Sequence, residues 1–561
     1  MFGQTETTYE FGPFRVDARE RQLTRDGAVV PLRPKVFDIL LMLVQNSGHI
    51  LTKDDVMKRV WSDTAVEDGN ISRTISTLRE VLGEGPREQR YIETIPWRGY
   101  RFVARVREVL IEEQWKRIES IAVLPFVNVS GDATIDYLAD GLTDSLITRL
   151  AQLKQLRVIS RNSAFRYKGL EVDARTVGHE LKVQALLLGR VAQTDGLLSI
   201  SVELIDASDD RHVWGGQYIR GIDDVGAISE TIVAKLTDKL RLQEDLRLSR
   251  PPSTHESYVC YLKGRYYFNK LTPDGVEKAK EHLQQAIQED PTYALAHAAL
   301  GDCYNYLAQR DQAKHSVVKA LELDETLGEA HASLGFYRFL YDWDFAGAET
   351  SFKRALRLNP SYAEAHHWYA IYLSNVGRHT EAEREARLAV ELDPLSLLMN
   401  MTAALNFYLA REYDSALEQL QKVLEMEPNF LAARSVRGNV LAQQGLYEEA
   451  MIEFHKVLEM LKGTPAEASV KAIMAHVHSR WGNQREASRL LEEVTDSGNA
   501  SPYSIAGIYT AMNDTDAAFE WLNKAYEEHD FQLVGLKVDP SLDGLRSDTR
   551  FDTLVSQVGI P

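Results

Sequence analysis

The sequence predicts a multidomain chain of mixed class. A small α+β domain comes first, then a mixed α/β sheet domain, then an all-α superhelix. Three observations carry this. The chain has 561 residues, too many for one core at roughly 100–200 residues per domain. Its C-terminal half repeats itself every 34 or 35 residues. Ahead of that repeat, short alternating strands and amphipathic helices interleave. A composition of 44% hydrophobic and 26% charged residues is globular and excludes a mainly disordered, collagen-like or membrane-embedded chain.

The N-terminal elements follow from local pattern. Tyr9–Asp17 and Arg21–Leu32 alternate and carry turn residues at Arg25-Asp26-Gly27, so they read as short antiparallel strands. Pro34 opens a helix at a favoured first position, with Phe37, Leu40, Leu41 and Val44 on its apolar face and Gly48 beyond its end. Thr52-Lys53-Asp54-Asp55 is a capping box with Asp in place of Glu and starts a helix through Val60. Ile71, Ile75, Leu78 and Leu82 give a third helix one apolar stripe. Tyr91–Thr94 and Tyr100–Val103 form a hairpin around Pro96-Trp97-Arg98-Gly99. Strands, three helices and a closing hairpin make a winged helix-turn-helix over residues 1–107, with a linker over 108–116.

Residues 117–250 alternate between classes. Ser120–Phe126, Leu156–Ser160, Ala185–Gln193, Leu198–Asp206 and His212–Tyr218 read as strands. Ile135–Leu153, Ala174–Leu181 and Val225–Leu240 read as helices. The order implies one mixed sheet packed by helices.

In residues 251–561, Asp290-Pro291, Asn359-Pro360, Asp393-Pro394 and Glu427-Pro428 mark unit ends, with Asp324-Glu325 in a matching place; the spacings are 34, 35, 34 and 34. Gly301, Gly335, Ala370, Ala404 and Gly438 hold one fixed place in the unit, and Ala313, Ala348, Ala382, Ala416 and Ala450 another. Small residues there let the two helices of a unit approach, and Pro ends the second helix. About eight units are expected, with Asp543–Gly559 as a closing helix of polar outer face.

Charge divides the chain. Residues 1–107 hold 17 basic and 15 acidic residues, whereas 251–561 hold 29 basic and 45 acidic. Only the first segment suits a polyanion. No apolar run reaches the ~18–20 residues of a membrane span, and Met1–Glu10 lacks the basic and apolar regions of a secretory signal. Cys260 and Cys303 are too few for a disulfide framework or zinc site and read as reduced thiols of a cytoplasmic protein. No Walker, G-x-G-x-x-G, G-x-S-x-G or H-E-x-x-H pattern occurs. No enzyme activity, cofactor or metal is expected. Asp132, Asp136, Asp140 and Asp144 recur every four residues and read as a solvated face or caps; His366-His367 and His476/His478 read as repeat-surface histidines.

Leu32-Arg33-Pro34, Val60-Trp61, Arg73 to Leu82, Tyr91-Ile92-Glu93-Thr94 and Gly99-Tyr100-Arg101-Phe102 resemble the DNA-binding effector domain of bacterial OmpR/PhoB response regulators. No receiver domain is expected before them and no membrane helix after them, an arrangement similar to HilA-like one-component regulators and, apart from the membrane helix, to CadC/ToxR-like ones. Ile121–Phe126, Ala139–Leu142, Arg157–Arg161 and Phe165–Gly169 resemble a TolB-N-terminal-like α/β module. The 34-residue units resemble tetratricopeptide repeats.

These resemblances imply a transcriptional regulator that binds double-stranded DNA. Opposite the apolar stripe of the third helix lie Asn70, Ser72, Arg73, Thr74, Ser76, Thr77 and Arg79, suited to a major groove. Arg98 at the hairpin tip and Arg101 suit phosphate or minor-groove contacts; a salt bridge within the wing is the alternative for Arg101. By resemblance, the loop after Val60 meets RNA polymerase, which nominates Asp63, Glu67 and Asp68; ordinary loop and cap carboxylates are the alternative. On first helices of the repeats, Asn305, Phe336, Phe339, His367 and Tyr408 are candidates to bind a protein or peptide partner, though some must be core. A homodimer on DNA stays open. The competing reading is a repeat-protein scaffold whose winged helix does not bind specific DNA.

Overall fold

The computed structural model describes residues 7–18, 21–26, 28–60, 68–85, 89–110, 118–132, 135–171, 173–194, 197–221, 225–242, 254–269, 272–307 and 309–561. They belong to two compact units, Met1–Arg117 and Ile118–Pro561.

In the first unit each alternating stretch folds back on itself. Strands β1 (Thr7–Phe11) and β2 (Phe14–Asp17) pair antiparallel, as do β3 (Gln22–Arg25) and β4 (Ala28–Val30). The reversals fall at Gly12 and Asp26, both in the left-handed region with φ of 54° and 51°. Helix α1 (Pro34–Gln45) starts at Pro34 and buries Phe37, Ile39, Leu40 and Leu43. Strand β5 (Ile50–Thr52) leads into α2 (Lys53–Val60), and the capping box forms: Asp55 N–H donates to Thr52 Oγ1 at 3.1 Å and Thr52 N–H to the Asp55 carboxylate at 3.3 Å. The Thr52 hydroxyl, which donates to the Asp55 carboxylate at 2.6 Å, and then the Thr52 N–H hold the Asp55 carboxyl below the usual range. Helix α3 (Asp68–Val81) follows, then the hairpin β6 (Ile92–Ile95) and β7 (Gly99–Phe102). β5 adds to β7 as a third strand that the pattern did not reveal.

The expected linker begins later than residue 108. Strand β8 (Arg107–Leu110) pairs antiparallel with β1, Tyr9 opposite Glu108 and Thr7 opposite Leu110, so the sheet runs β4-β3-β2-β1-β8. Without β8 the outer edge of β1 would present unpaired backbone groups. Aromatic packing fills the space beneath: Phe11 lies 4.9 Å from Phe102 and 5.6 Å from Tyr91, ring centre to ring centre.

The second unit opens with the α/β layer. Strands β9 (Ser120–Val123), β10 (Val127–Asn128), β11 (Arg157–Val158), β12 (Ala185–Thr194), β13 (Leu197–Asp206) and β14 (Arg211–Gly221) form one sheet of order β11-β9-β12-β13-β14, with β10 also on β12. β9 runs parallel to β11 and β12, and the last three strands are an antiparallel meander. Helices α4 (Asp136–Ala151), α5 (Arg161–Ala164), α6 (Ala174–Glu180) and α7 (Val225–Lys239) accompany it.

Residues 117–250 and 251–561 were expected as separate domains, but Ile118–Pro561 is one compact unit. The joint is polar and buried. Ser163 Oγ donates to Asp393 at 2.5 Å and Asn162 Nδ2 to the same carboxylate at 3.1 Å; Ser160 N–H donates to the Leu392 carbonyl at 2.8 Å. Asp144, on α4, meets Arg161 at 3.6 Å and Arg265 of the first repeat helix at 3.2 Å. Asp140 pairs with Lys168 at 2.7 Å. The expected solvated face is therefore wrong for Asp140 and Asp144, which are 5% and 9% exposed. Their fourfold spacing is that of a helix face, and the repeats cover that face.

Eight helix pairs run from His255 to Glu527 among the described residues, beginning with α8 (His255–Phe268) and α9 (Pro273–Glu289). The fixed small residues sit where helices touch: a Cβ on Gly438 would lie 2.6 Å from the Phe454 ring. The one 35-residue spacing, Asp324 to Asn359, is absorbed by a π-turn at Arg338–Asp342. Two 3-10 segments, Phe531–Gly535 and Pro540–Leu545, precede the terminal helix Thr549–Val558. That segment does more than end the stack. Leu533, Leu536, Leu542 and Leu545 join Phe339, Phe345 and Tyr372 in one apolar cluster, so the array curls until its end meets its third and fourth repeats.

Candidate DNA-binding surface

α3 is held by Ile71, Ile75, Leu78 and Leu82, each at most 3% exposed and packed in one core with Phe37 and Leu40 of α1. Burying one stripe leaves the opposite face outward. Asn70, Ser72, Arg73, Ser76 and Thr77 are exposed and Thr74 is half-buried. Thr74 and Thr77 donate their hydroxyl protons to the carbonyls of Asn70 (2.8 Å) and Arg73 (3.1 Å), which leaves oxygen lone pairs to accept from a ligand. The Ser72 hydroxyl lies 3.3 Å from Tyr100 Oη and ties the helix to β7. Among the described residues, the Arg73 guanidinium has no hydrogen bond or ion pair.

Arg79 departs from the expected role. Its Nη2 donates to the Ile92 carbonyl and to Thr94 Oγ1, both at 2.8 Å, and its Nε stands 3.6 Å from the Glu84 carboxylate. The Glu84 side chain is fully buried and accepts from the backbone N–H groups of Tyr91 and Ile92. Six residues past Arg73, the helix has turned by about 600°, so Arg79 points some 120° away, toward the hairpin. It clamps α3 to β6 and is not on the outward face.

Arg101 is likewise engaged. Its Nε and Nη2 reach Glu93 at 2.9 and 2.5 Å, across the β6–β7 pair in which the two residues stand opposite. The wing salt bridge is thus the arrangement the structure holds. Arg98 at the tip is exposed and has no side-chain partner among the described residues. Beside it Trp97 is fully exposed and adopts φ of 64°. In the sequence Trp97 reads as a turn residue; its signal is a tryptophan in a four-residue turn, with no place in the strand alternation. Gly99 fixes the tip: at φ of 149°, a Cβ would lie 2.0 Å from the Leu51 carbonyl oxygen. Asp63 and Glu67 lie outside the described residues, and Asp68 begins α3 with its side chain outside them.

The repeat candidates separate. Asn305 is exposed. Phe336 is half-buried and stacks on Trp368 at 5.1 Å. Phe339 is fully buried in the cluster with the C-terminal segment, Tyr408 is 8% exposed, and His367 is 3% exposed with Nδ1 2.7 Å from Thr402 Oγ1. Burial lowers the His367 pKa to about 4. Phe339, His367 and Tyr408 are therefore interior, because first-helix positions also face the next repeat and the returning C-terminus. His366 is interior too, 2.7 Å from Glu385, and His478 is buried. Both correct the expectation of surface histidines.

Residues 27–102 match the family described as "Transcriptional regulatory protein, C terminal". Residues 116–226 match "HilA/YgeH-like transcriptional regulator, second domain", and 294–327, 351–384 and 401–463 match tetratricopeptide repeats. Over 404 residues the chain is 24% identical to the transcriptional regulator HilA of Salmonella typhimurium, covering 68% of this chain and 70% of that one. A Rhizobium meliloti protein named "Putative adenylate cyclase 3" is 36% identical over 186 residues, and the match spans 32% of each chain. The transcriptional activator CadC of Escherichia coli is 31% identical over 96 residues, 17% of this chain and 19% of CadC. The solved DNA-binding domain of E. coli CadC is covered completely, with 28% identity over 19% of this chain and a TM-score of 0.17. No helix among the described residues is long and apolar enough to cross a membrane. In architecture the chain is similar to HilA-like transcriptional regulators: a segment matching the OmpR/PhoB-type winged helix, a segment matching their second domain, and tetratricopeptide repeats.

Proposed function

We propose that the chain acts as a cytoplasmic one-component regulator that binds double-stranded DNA through α3 and the wing and is not an enzyme. The observation that carries this is the outward face of α3: Asn70, Arg73, Ser76 and Thr77 exposed, with Arg73 uncommitted among the described residues. A helix polar on one face, with an arginine free to fork onto guanine or phosphate, is what a major groove takes. Trp97 and Arg98 extend the contact toward a neighbouring groove or phosphate. Residues 1–107 carry a net charge of only +2, so affinity rests on placed residues more than on a diffuse basic field.

In this reading the loop that contains Asp63 and Glu67, with Asp68, contacts RNA polymerase. The second unit receives input from a protein or peptide partner, with Asn305 and Phe336 as the accessible candidates. Sequencing the DNA bound to the tagged full-length chain in cells tests the reading. Recurrent sites that disappear with Arg73→Ala support it. A genome-wide profile equal to that of an unrelated tagged protein rejects it in favour of a scaffold.

A further inference from the structure

The tip of the wing is one tight turn, Ile95 to Arg98, in which the Arg98 N–H donates to the Ile95 carbonyl at 3.1 Å. Pro96 in the second place and a φ of 64° at Trp97 in the third give the type II pattern. That third place ordinarily takes glycine or asparagine, because a Cβ crowds the backbone at positive φ. Here it holds a tryptophan that is fully exposed, between Pro96 and Arg98, which are exposed as well. The indole therefore gains no burial from its own chain, while its backbone sits where a large side chain is least at ease. Residues held this way collect at sites where a ligand supplies the compensation.

The position of the turn says which ligand. Ser72 of α3 lies 3.3 Å from Tyr100 and Arg79 of α3 donates to Thr94 at 2.8 Å. Thr94 and Tyr100 face each other across β6 and β7, so α3 runs across the hairpin at that rung and the tip projects to one side of it. Trp97 is three residues beyond the rung on either strand, about 10 Å at roughly 3.3 Å per residue. A major groove is about 12 Å wide, so with α3 seated in it the tip reaches past the bordering phosphates to the adjacent minor groove. Arg98 beside the indole is a cation with no side-chain partner among the described residues. The other exposed large apolar residues described in the first unit are Val29, in β4, and Val103, past the far end of β7. A lone aromatic next to a free arginine is not the contiguous apolar patch of a protein interface; it suits a narrow anionic groove.

We propose that Trp97 is an apolar wedge that enters the minor groove flanking the α3 site, unstacks one base step there and kinks the duplex, with Arg98 on the adjoining phosphates. The inference rests on the DNA-binding reading and adds a specificity determinant to it. Wedges of this kind kink DNA by about 20–90°. Pyrimidine–purine steps unstack most readily, so the flank is selected for its deformability although no hydrogen bond reads its bases.

The test uses full-length wild type, Trp97→Gly and Trp97→Phe. The probe is a duplex that the wild type enriches from a random pool, with a dye at each end so that energy transfer reports bending at saturating protein. Glycine suits the left-handed backbone, so Trp97→Gly should melt no lower than wild type. It should nonetheless lose the bend, and Trp97→Phe should restore part of it. On duplexes that differ only in the flanking step, wild type should prefer a pyrimidine–purine step by roughly fivefold or more, and Trp97→Gly should show no preference. A wild-type complex without a bend, or a bend and flank preference unchanged in Trp97→Gly, overturns the wedge and leaves the DNA reading standing. Unchanged bending together with lost transcriptional output in cells likewise overturns it and assigns Trp97 to a protein partner. Absence of any sequence-selective binding by the wild type rejects the DNA reading, and the wedge with it.

Discussion

The imidazole of His529 lies 3.7 Å from the indole of Trp343, with 14° between the ring planes. Its Nε2 is 2.7 Å from the Tyr341 carbonyl, 188 positions away in sequence. Arg411 adds a second fastening, donating to the Val538 carbonyl at 2.7 Å and pairing with Asp543 at 2.8 Å. An open solenoid has only neighbour contacts; this one closes on itself. Trp343→Ala should therefore destabilise the second unit by about 1–3 kcal/mol and expose the 531–561 segment to protease ahead of global unfolding. Denaturant melts and limited proteolysis of the full chain check both. An unchanged cleavage pattern argues that the closure is not a stabilising contact.

Arg79 and Arg73 should behave differently although both are arginines of α3. Arg79→Ala leaves the buried Glu84 carboxylate without its cation, which should cost about 2–4 kcal/mol of first-unit stability. Arg73→Ala should change stability by less than about 0.5 kcal/mol. Thermal melts of the two variants decide it.

A fragment of residues 1–116 should unfold cooperatively and at higher denaturant concentration than a fragment of residues 1–107. The shorter one lacks β8 and leaves the β1 edge bare. Equal midpoints would mean that the β1–β8 pairing adds nothing.

Glu349 supplies a pH signature. Burial raises its pKa, but Lys353 at 2.8 Å and Arg378 at 2.6 Å outweigh burial and bring it to about 2. A folded-state pKa below the ordinary 4.5 means stability that is full above pH 4.5 and is lost as the pH falls toward 2. Glu349→Gln should cost about 1–3 kcal/mol at pH 7, with the difference from wild type shrinking between pH 4.5 and 2. Urea melts at pH 7, 4 and 3 measure it; a difference constant with pH would assign the effect to packing.

Local signals carried most of the architecture into the sequence. Pro34, the Thr52–Asp55 box and the Ile71–Leu82 stripe each act within one or two turns, and each element formed where its signal stood. The eight helix pairs were legible because the small residues that permit close helix contact recur at a fixed spacing. What was hidden depends on partners distant in the chain. Nothing beside Arg79 announces that the Ile92 carbonyl and Thr94, 13 and 15 positions on, take up its guanidinium. The strand at 107–110 exists because β1, a hundred residues earlier, offers it an edge. Asp140 and Asp144 look like a solvated face until the repeats cover it, Phe339 looks like a concave-surface residue until residues 533–545 pack on it, and Tyr408 until neighbouring repeat helices bury it. Trp97 was visible as a letter, and its exposure depends on the tip conformation set by Gly99 against Leu51.

The DNA contact itself is tested most directly by titrating full-length wild type, Arg73→Ala and Arg98→Ala at several salt concentrations. The ligands are a duplex enriched by the protein from a random pool and a scrambled duplex, followed by fluorescence anisotropy. Arg73→Ala should lose about 1–3 kcal/mol on the enriched duplex and relax preference at one base position, as expected if Arg73 reads a base. Arg98→Ala should weaken both duplexes alike and reduce the salt slope by about one. If both variants remain folded and neither changes affinity or salt slope on either duplex, α3 and the wing do not contact DNA, and the scaffold reading takes their place.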